Sequence, residues 1–311
     1  MTIPTYGGPE VLRIAEVPAP RSVPGHVIVR VAAAAVSNTD TLLRSGRQDR
    51  FLTGIPFPYV PGMDLAGTIH SSTDPRWPVG TRVMAAVSAW RKGGGAQAEL
   101  VSVAVESLAI APDGLSDVEI STLPMNGLTA IACVDGLGLS AENTVVVLGA
   151  AGAVGGLSIQ IAKARGLRVI ADAAGTDERL IRGLGADHVV PRGSGLPAAV
   201  GAHAPHGADG VIDAAVTGQA AVDLVADRGT LATLRPQQGL VMHRGITERE
   251  VFVPFQLANS KGLAELSALA SSGAITARVA EVLTPDRVGA AHALLAAGGL
   301  RGRPVLDFAS W

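Results

Sequence analysis

Two rhythms of apolar and polar positions divide this chain. Over the first hundred or so residues, short β-like runs alternate with Pro and Gly: HVIVRVAAAAV (26–36), DLAGTIH (64–70), TRVMAAV (81–87) and AQAELVSV (96–103). Short apolar runs bounded by turn formers predict strands of an antiparallel, barrel-like domain. From Asn143 the pattern changes to TVVVLG, LRVIAD, ADHVV, ADGVIDA and GTLATL, and the segments between the early runs read as helices. That alternation predicts an α/β fold with a doubly wound parallel sheet. Near the end, NSKGLAELSALASSG (259–273) predicts an amphipathic helix stopped by Gly273. TPDRVGAAHALLAAG (284–298) predicts another, with Thr284 as N-cap, Pro285 at the first helical position and Gly298 as stop, and RPVLDF predicts a closing strand.

With 311 residues, of which 48% are hydrophobic and 17% charged, the chain has material for two folded domains. No apolar run approaches the ~18 residues of a membrane span. The start, MTIPTYGGPE, has neither a basic stretch nor an apolar export segment, so a cytoplasmic location is expected. A net charge of -2, with the charges dispersed, argues against nucleic acid as a partner. Cys133 is the single cysteine, which excludes an internal disulfide and any structural zinc site needing two or more cysteines. His203 and His206, interrupted by Pro205, read as an exposed loop rather than a metal pair.

The run GAAGAVGG (149–156) directly follows three valines. In a βαβ unit the turn after the first strand must be tight, approach a ligand with bare backbone and let the next helix pack closely. A dinucleotide's pyrophosphate then sits at the helix N-terminus. On this reading Ala150, Gly152 and Gly155 stand at the three positions of GxGxxG, Ala151 and Ala153 lie between them, and Val154 anchors the helix inward. No Gly-Lys-Ser/Thr follows, so this is not a P-loop, and Ser158 is not flanked as in a hydrolase elbow. An acid holding the ribose 2′-hydroxyl is expected about 20 residues on, near Asp172. If Ala173 is the strand tip instead, Arg179 would meet a 2′-phosphate with Thr176 assisting; Arg179 reads equally well as a solvated helix residue.

The motifs YGGPEVLRIAEVP (6–18), AAAAVSNTDTLLRSG (32–46), PYVPGMDLAGTI (58–69), GTRVMA (80–85) and TLPMNGLTAI (122–131), with the glycine run, occur in a distinctive order. Together they resemble the medium-chain dehydrogenase/reductases, in the zinc-independent quinone oxidoreductase branch. The resemblance implies a GroES-like β-rich catalytic domain, split as residues 1–120 and 258–311, around a Rossmann domain at 121–257. It also implies a homodimer. Where zinc-dependent relatives carry a cysteine ligand, this chain has Ser37; where they carry PGHE, it has Pro61, Gly62, Met63 and Asp64; the third ligand position falls at Met125. A hydroxyl and two thioethers hold zinc poorly, so no metal is expected. Without a Lewis acid the substrate must already be electrophilic, as quinones and α,β-unsaturated carbonyls are.

By the same resemblance Ser37, Asn38 and Asp40 lie beside the nicotinamide and ribose, although Asn38 and Asp40 could equally cap the helix that follows. Thr129 matches a position near the nicotinamide; a hydroxyl satisfied within a helix is the alternative. Ala214, Ala215, Leu234 and Arg235 follow later strands, at carboxyl ends where a dinucleotide lies. Tyr59 reads as a donor or ring stacker, or as ordinary packing beside a proline. Phe51, Phe57, Trp90 and Phe255 are further pocket candidates, and Met63 and Met125 read as core or pocket wall. The expected activity is hydride transfer from NAD(P)H, with NADP(H) favoured, to a quinone or enone as small-molecule substrate. A polyketide-type enoyl reductase and a catalytically inactive NADPH-binding protein are the alternatives, the latter kept by the lack of an evident general acid.

Overall fold

Runs of Val, Ile and Ala become strands wherever Gly, Pro or a polar cluster ends them, and the computed structural model describes residues 1–253 and 256–311. In chain order the elements are β1 (His26–Ala35), α1 (Asn38–Arg44), β2 (Asp64–Ser72), β3 (Arg82–Ala86), β4 (Leu100–Ala104), β5 (Leu108–Ile110), α2 (Asp117–Ile120), α3 (Pro124–Gly136), β6 (Thr144–Leu148), α4 (Ala153–Ala164) and β7 (Arg168–Ala173). There follow α5 (Glu178–Gly183), β8 (His188–Pro191), α6 (Leu196–Gly201), β9 (Ala208–Asp213), α7 (Gln219–Asp223), β10 (Val225–Thr233), β11 (Thr247–Glu250), α8 (Ser260–Ser271), β12 (Val279–Leu283), α9 (Val288–Ala297) and β13 (Arg303–Asp307). The chain divides into two compact units: Met1–Met125 with Pro254–Ser271 and Ala277–Trp311, and Asn126–Val253 with Ser272–Thr276.

The first unit is built on a seven-stranded sheet in the order β12-β13-β1-β2-β3-β5, with β4 also paired to β1. Its pairings are antiparallel except β12 with β13. β4 alternates half-buried and buried positions, as a strand with one face on the core does. Val29, Val31, Leu65, Ile69, Val83 and Val101 fill that core. The amphipathic helix appears as α8, which buries Leu263, Leu266 and Ala270 and is followed by Gly273 at φ +75. Thr284 and Pro285 open a 3₁₀ turn that leads into α9, and Gly298 ends it at φ +70.

The second unit is a six-stranded sheet in the order β11-β10-β9-β6-β7-β8, parallel at every pairing. Read from β8, the order runs inward to β6, the first strand of the unit, and then reverses to β9. Ligands of such sheets lie at that reversal, at the carboxyl ends of the strands. β6 is buried at every position from Val145 to Leu148, as burial on both faces requires. The α/β architecture follows the pattern of the sequence. The short strands β5, β11 and β12 do not: β11 reads TERE and is exposed throughout, so no hydrophobic rhythm announces it.

Candidate active site

The glycine turn begins at Gly149, one residue after β6, with φ +73. A Cβ there would lie 3.0 to 3.2 Å from backbone atoms of Ala214 and Ala215, tighter than most real side-chain contacts, and the positive φ disfavours any side chain as well. Gly152 is the N-cap of α4 and, being glycine, offers no capping side chain of its own; the first turn of the helix holds no acid. A Cβ on Gly155 would sit 2.4 Å from the Gly149 carbonyl oxygen and 2.9 Å from the Ala150 Cα. The backbone therefore favours glycine most at 149 and 155; at Gly152, whose φ is -72, a Cβ would lie 3.1 Å from the Gly149 oxygen. The residue at positive φ is Gly149, one position before Ala150, which stands first in the GxGxxG spacing; the buried Ala150 gives its N–H to Asp172. Ala151 is buried, whereas Ala153 and Val154 are only half-buried, so Val154 is a weaker inward anchor than its sequence position suggests. A helix start with no acid in its first turn, beside bare backbone, suits an anionic group such as a pyrophosphate.

Asp172, on β7, is 4% exposed and turned toward this turn, where it accepts the Ala150 N–H at 3.0 Å. Its other oxygen is 3.0 Å from Nε of Arg192. Both carboxylate oxygens are thus engaged, and the strand ends on Ala173, followed by exposed Thr176 and Arg179. Arg192 escaped the sequence reading. It is found only through register: Pro191 on β8 pairs with Ala173 on β7, which sets the next residue, Arg192, beside that tip. At the end of β9, Asp213 is fully buried and accepts the N–H groups of Ala215 (3.1 Å) and Thr217 (2.8 Å). Gln237 donates to the same carboxylate at 3.0 Å and accepts the Gly218 N–H at 3.1 Å. Ala214 and Leu234 are half-buried, and Ala215 and Arg235 are exposed at these strand ends. Thr129 is buried on α3.

In the first unit, Ser37 is the N-cap of α1 and Asp40 its third residue, forming a capping box; Asn38 is the first helical residue, exposed, and does not cap. The fully buried Asp40 carboxylate accepts Ser37 N–H (2.8 Å), Ser37 Oγ–H (3.3 Å), Gly62 N–H (2.7 Å) and Gln97 Nε2–H (3.3 Å). Burial pushes its pKa up to about 6, against those hydrogen bonds and the nearby Arg303 charge. The folded protein therefore holds a proton here that the unfolded chain, titrating near ~3.9, has already released. The stability that protonated Asp40 contributes is full below ~4 and is lost as pH rises through about 6. Wild-type melting temperature should accordingly fall relative to Asp40→Asn between these limits, by the equivalent of up to ~3 kcal/mol. Parallel melting curves across that window would remove this reading.

Tyr59 is buried, pairs its backbone with Ile3, and packs its ring 4.2 Å from Phe57 and 6.1 Å from Tyr6. Phe51 and Trp90 stack at 4.4 Å, with Trp90 Nε1 donating to Gln48 at 3.0 Å. Phe255 lies outside the described residues. The structure thus gathers Ser37 with Asp40 in one unit, and the 149–155 turn with Asp172 and Ala214–Ala215 in the other.

Comparison with known proteins follows the same division. A family model described as alcohol dehydrogenase GroES-like domain matches residues 23–113, and one described as zinc-binding dehydrogenase matches residues 153–253. A mycobacterial protein solved in complex with NADPH is 26% identical, with a TM-score of 0.81 and 98% of each chain covered. A chloroplastic quinone-oxidoreductase of Triphysaria versicolor is 32% identical over 203 residues, 61% of this chain. A chloroplastic NADPH-dependent alkenal/one oxidoreductase of Arabidopsis thaliana is 34% identical over 191 residues, 58% of this chain. The matched stretch spans 60% of the length of the first of these two relatives and 49% of the second. The chain belongs to the medium-chain dehydrogenase/reductase superfamily, in its quinone oxidoreductase-like branch.

Zinc-dependent members of the superfamily set the test for the first unit. Ser37 Oγ is turned to Asp40, Met63 is fully buried, and the Met125 sulfur accepts the Thr39 hydroxyl at 3.9 Å. Asp64, also fully buried, has one oxygen 2.6 Å from Nη1 of the buried Arg303, and the other accepts the Met125 N–H at 2.5 Å. Burial pushes the Asp64 pKa up, with Arg303 opposing it. Among the described residues no group of three or more His, Cys, Asp or Glu side chains gathers where it could hold a metal ion. These side chains do not fit a zinc site. No helix among the described residues is long and apolar enough to cross a membrane.

Proposed function

We propose that the chain is an NADPH-dependent, zinc-independent oxidoreductase that passes a hydride to a quinone or to the β-carbon of an α,β-unsaturated carbonyl. The observation that carries this reading is a contrast between two sites. The glycine turn leading into α4, bare of bulky side chains, fits a dinucleotide, while the one carboxylate at the zinc-ligand motif is closed off by Arg303 and Met125. The names of the Triphysaria and Arabidopsis relatives support the acceptor class.

NADPH, when bound, supplies the hydride. The turn Ala150–Gly155 would cradle its pyrophosphate at the start of α4, with the N–H of Ala150 itself held by Asp172; Ala214, Ala215, Leu234 and Arg235 would line its path, and Thr176, Arg179 and Arg192 would meet the 2′-phosphate. Ser37, Asn38, Thr129 and Tyr59 would orient cofactor and acceptor. A conjugated acceptor spreads the incoming charge onto its oxygen, where hydrogen-bond donors suffice to stabilise it.

Stopped-flow oxidation of NADPH against a set of quinones and a set of enones and enoyl thioesters tests the acceptor. Turnover restricted to enoyl thioesters would favour a biosynthetic enoyl reductase, and NADPH binding without turnover by any acceptor would leave a binding protein. Zinc in stoichiometric amount in purified protein would overturn the ligand argument. Arg192→Ala and Arg179→Ala should each weaken NADPH by about tenfold and leave NADH unchanged, since only NADPH carries the phosphate these guanidinium groups would bind. Equal losses for both cofactors would remove the phosphate role. The proposal includes a homodimer, to which the fully exposed edge strand β11 offers an unpaired surface, and a cytoplasmic location; light scattering and fractionation test these.

A further inference from the structure

Val216 has φ +59, a region that β-branched residues avoid. It is 37% exposed, so burying its side chain does not explain the strain. What holds it there is visible on both sides of the residue. Asp213 takes the N–H groups of Ala215 and Thr217, and Gln237, reaching from the segment after β10, bridges that carboxylate to the Gly218 N–H. The turn so held presses on the glycine turn, because Ala214 and Ala215 occupy the space a Cβ on Gly149 would need. It lies where β9 adjoins β6, at the reversal of strand order. A loop that merely joined β9 to α7 would be relieved by glycine or asparagine at 216. Strain kept at an exposed position beside a ligand crevice points to pre-organisation.

We propose that Asp213 and Gln237 are positioning residues for the dinucleotide, holding Ala214–Thr217 against the glycine turn so that its backbone forms the facing wall of the cofactor crevice. This rests on the dinucleotide reading given above. It assigns to two side chains a task that the glycine run alone does not perform.

The test combines NADPH titration with hydrogen exchange of the 214–218 amides in ligand-free protein. In the wild type, Ala215 and Thr217 should exchange slowly without cofactor; rapid exchange would overturn the proposal whatever the variants do. Gln237→Leu removes both bridging bonds, and its NADPH dissociation constant should rise about tenfold while the melting temperature falls by only a few degrees. Adding Val216→Asn, a residue that tolerates positive φ, should restore affinity to within about threefold of wild type. A Gln237 with a merely structural role would not be rescued in this way. Unchanged affinity in Gln237→Leu, or no recovery in the double variant, overturns the assignment. Wild-type protein that binds no NADPH removes the dinucleotide reading itself and this assignment with it.

Discussion

Replacing Arg303 with leucine should lower stability by about 3 to 5 kcal/mol at neutral pH, because it strands a carboxylate with no exposure. Arg303 sits 2.6 Å from Asp64 and also donates to the Thr122 carbonyl, while Asp64 accepts the N–H of Met125 near the start of α3. The pair therefore closes three segments of the first unit on one another. Burial already raises the Asp64 pKa with Arg303 present, and removing the guanidinium would raise it further. The folded variant would then keep a proton that the unfolded chain releases near ~3.9, so its deficit should shrink as pH falls toward that value. Asp64→Leu combined with Arg303→Leu should recover much of the loss, since two apolar side chains can replace a buried pair. Thermal melting of the three proteins at several pH values decides the matter. A deficit that stays constant with pH would show that Asp64 is not the cause.

Gly155→Val should be the most damaging change in the second unit. Its first added atom would lie 2.4 Å from the Gly149 carbonyl oxygen, against rigid backbone that cannot turn aside. Overpacking of this kind costs about 1 to 3 kcal/mol and pushes α4 off the sheet. NADPH binding, which needs the helix start in place, should be lost even where the variant stays folded. Circular dichroism with NADPH titration reads both effects. Binding within a factor of two of wild type would mean that the pyrophosphate does not sit on this turn.

Much of the architecture is legible along the chain because its signals are local. Three valines followed by small residues announce β6, the glycine turn and α4; Thr284-Pro285 and Gly298 mark the ends of the segment that contains α9. Ser37 and Asp40 are legible as helix-start chemistry, although the cap proves to be Ser37 rather than Asn38. What escapes is whatever depends on partners distant in sequence. Asp172 lies near the expected ribose position, yet only the fold turns it onto Ala150 and Arg192. Arg192, Asp213 and Gln237 carry no motif; strand register and a returning loop bring them to the carboxyl ends of the parallel strands.

The sequence by itself determined the α/β class, the strand-turn-helix of the glycine run and the set of residues at the zinc-ligand positions, because periodicity and turn chemistry act within a few residues. Only the tertiary structure decided which carboxylates are occupied and by what. Asp64 is taken by Arg303 and Met125, Asp172 by Ala150 and Arg192, and Asp213 by the loop it holds. The physical reason is that a buried carboxylate must find donors wherever packing delivers them, and that delivery is set by sheet order rather than by neighbours in the chain.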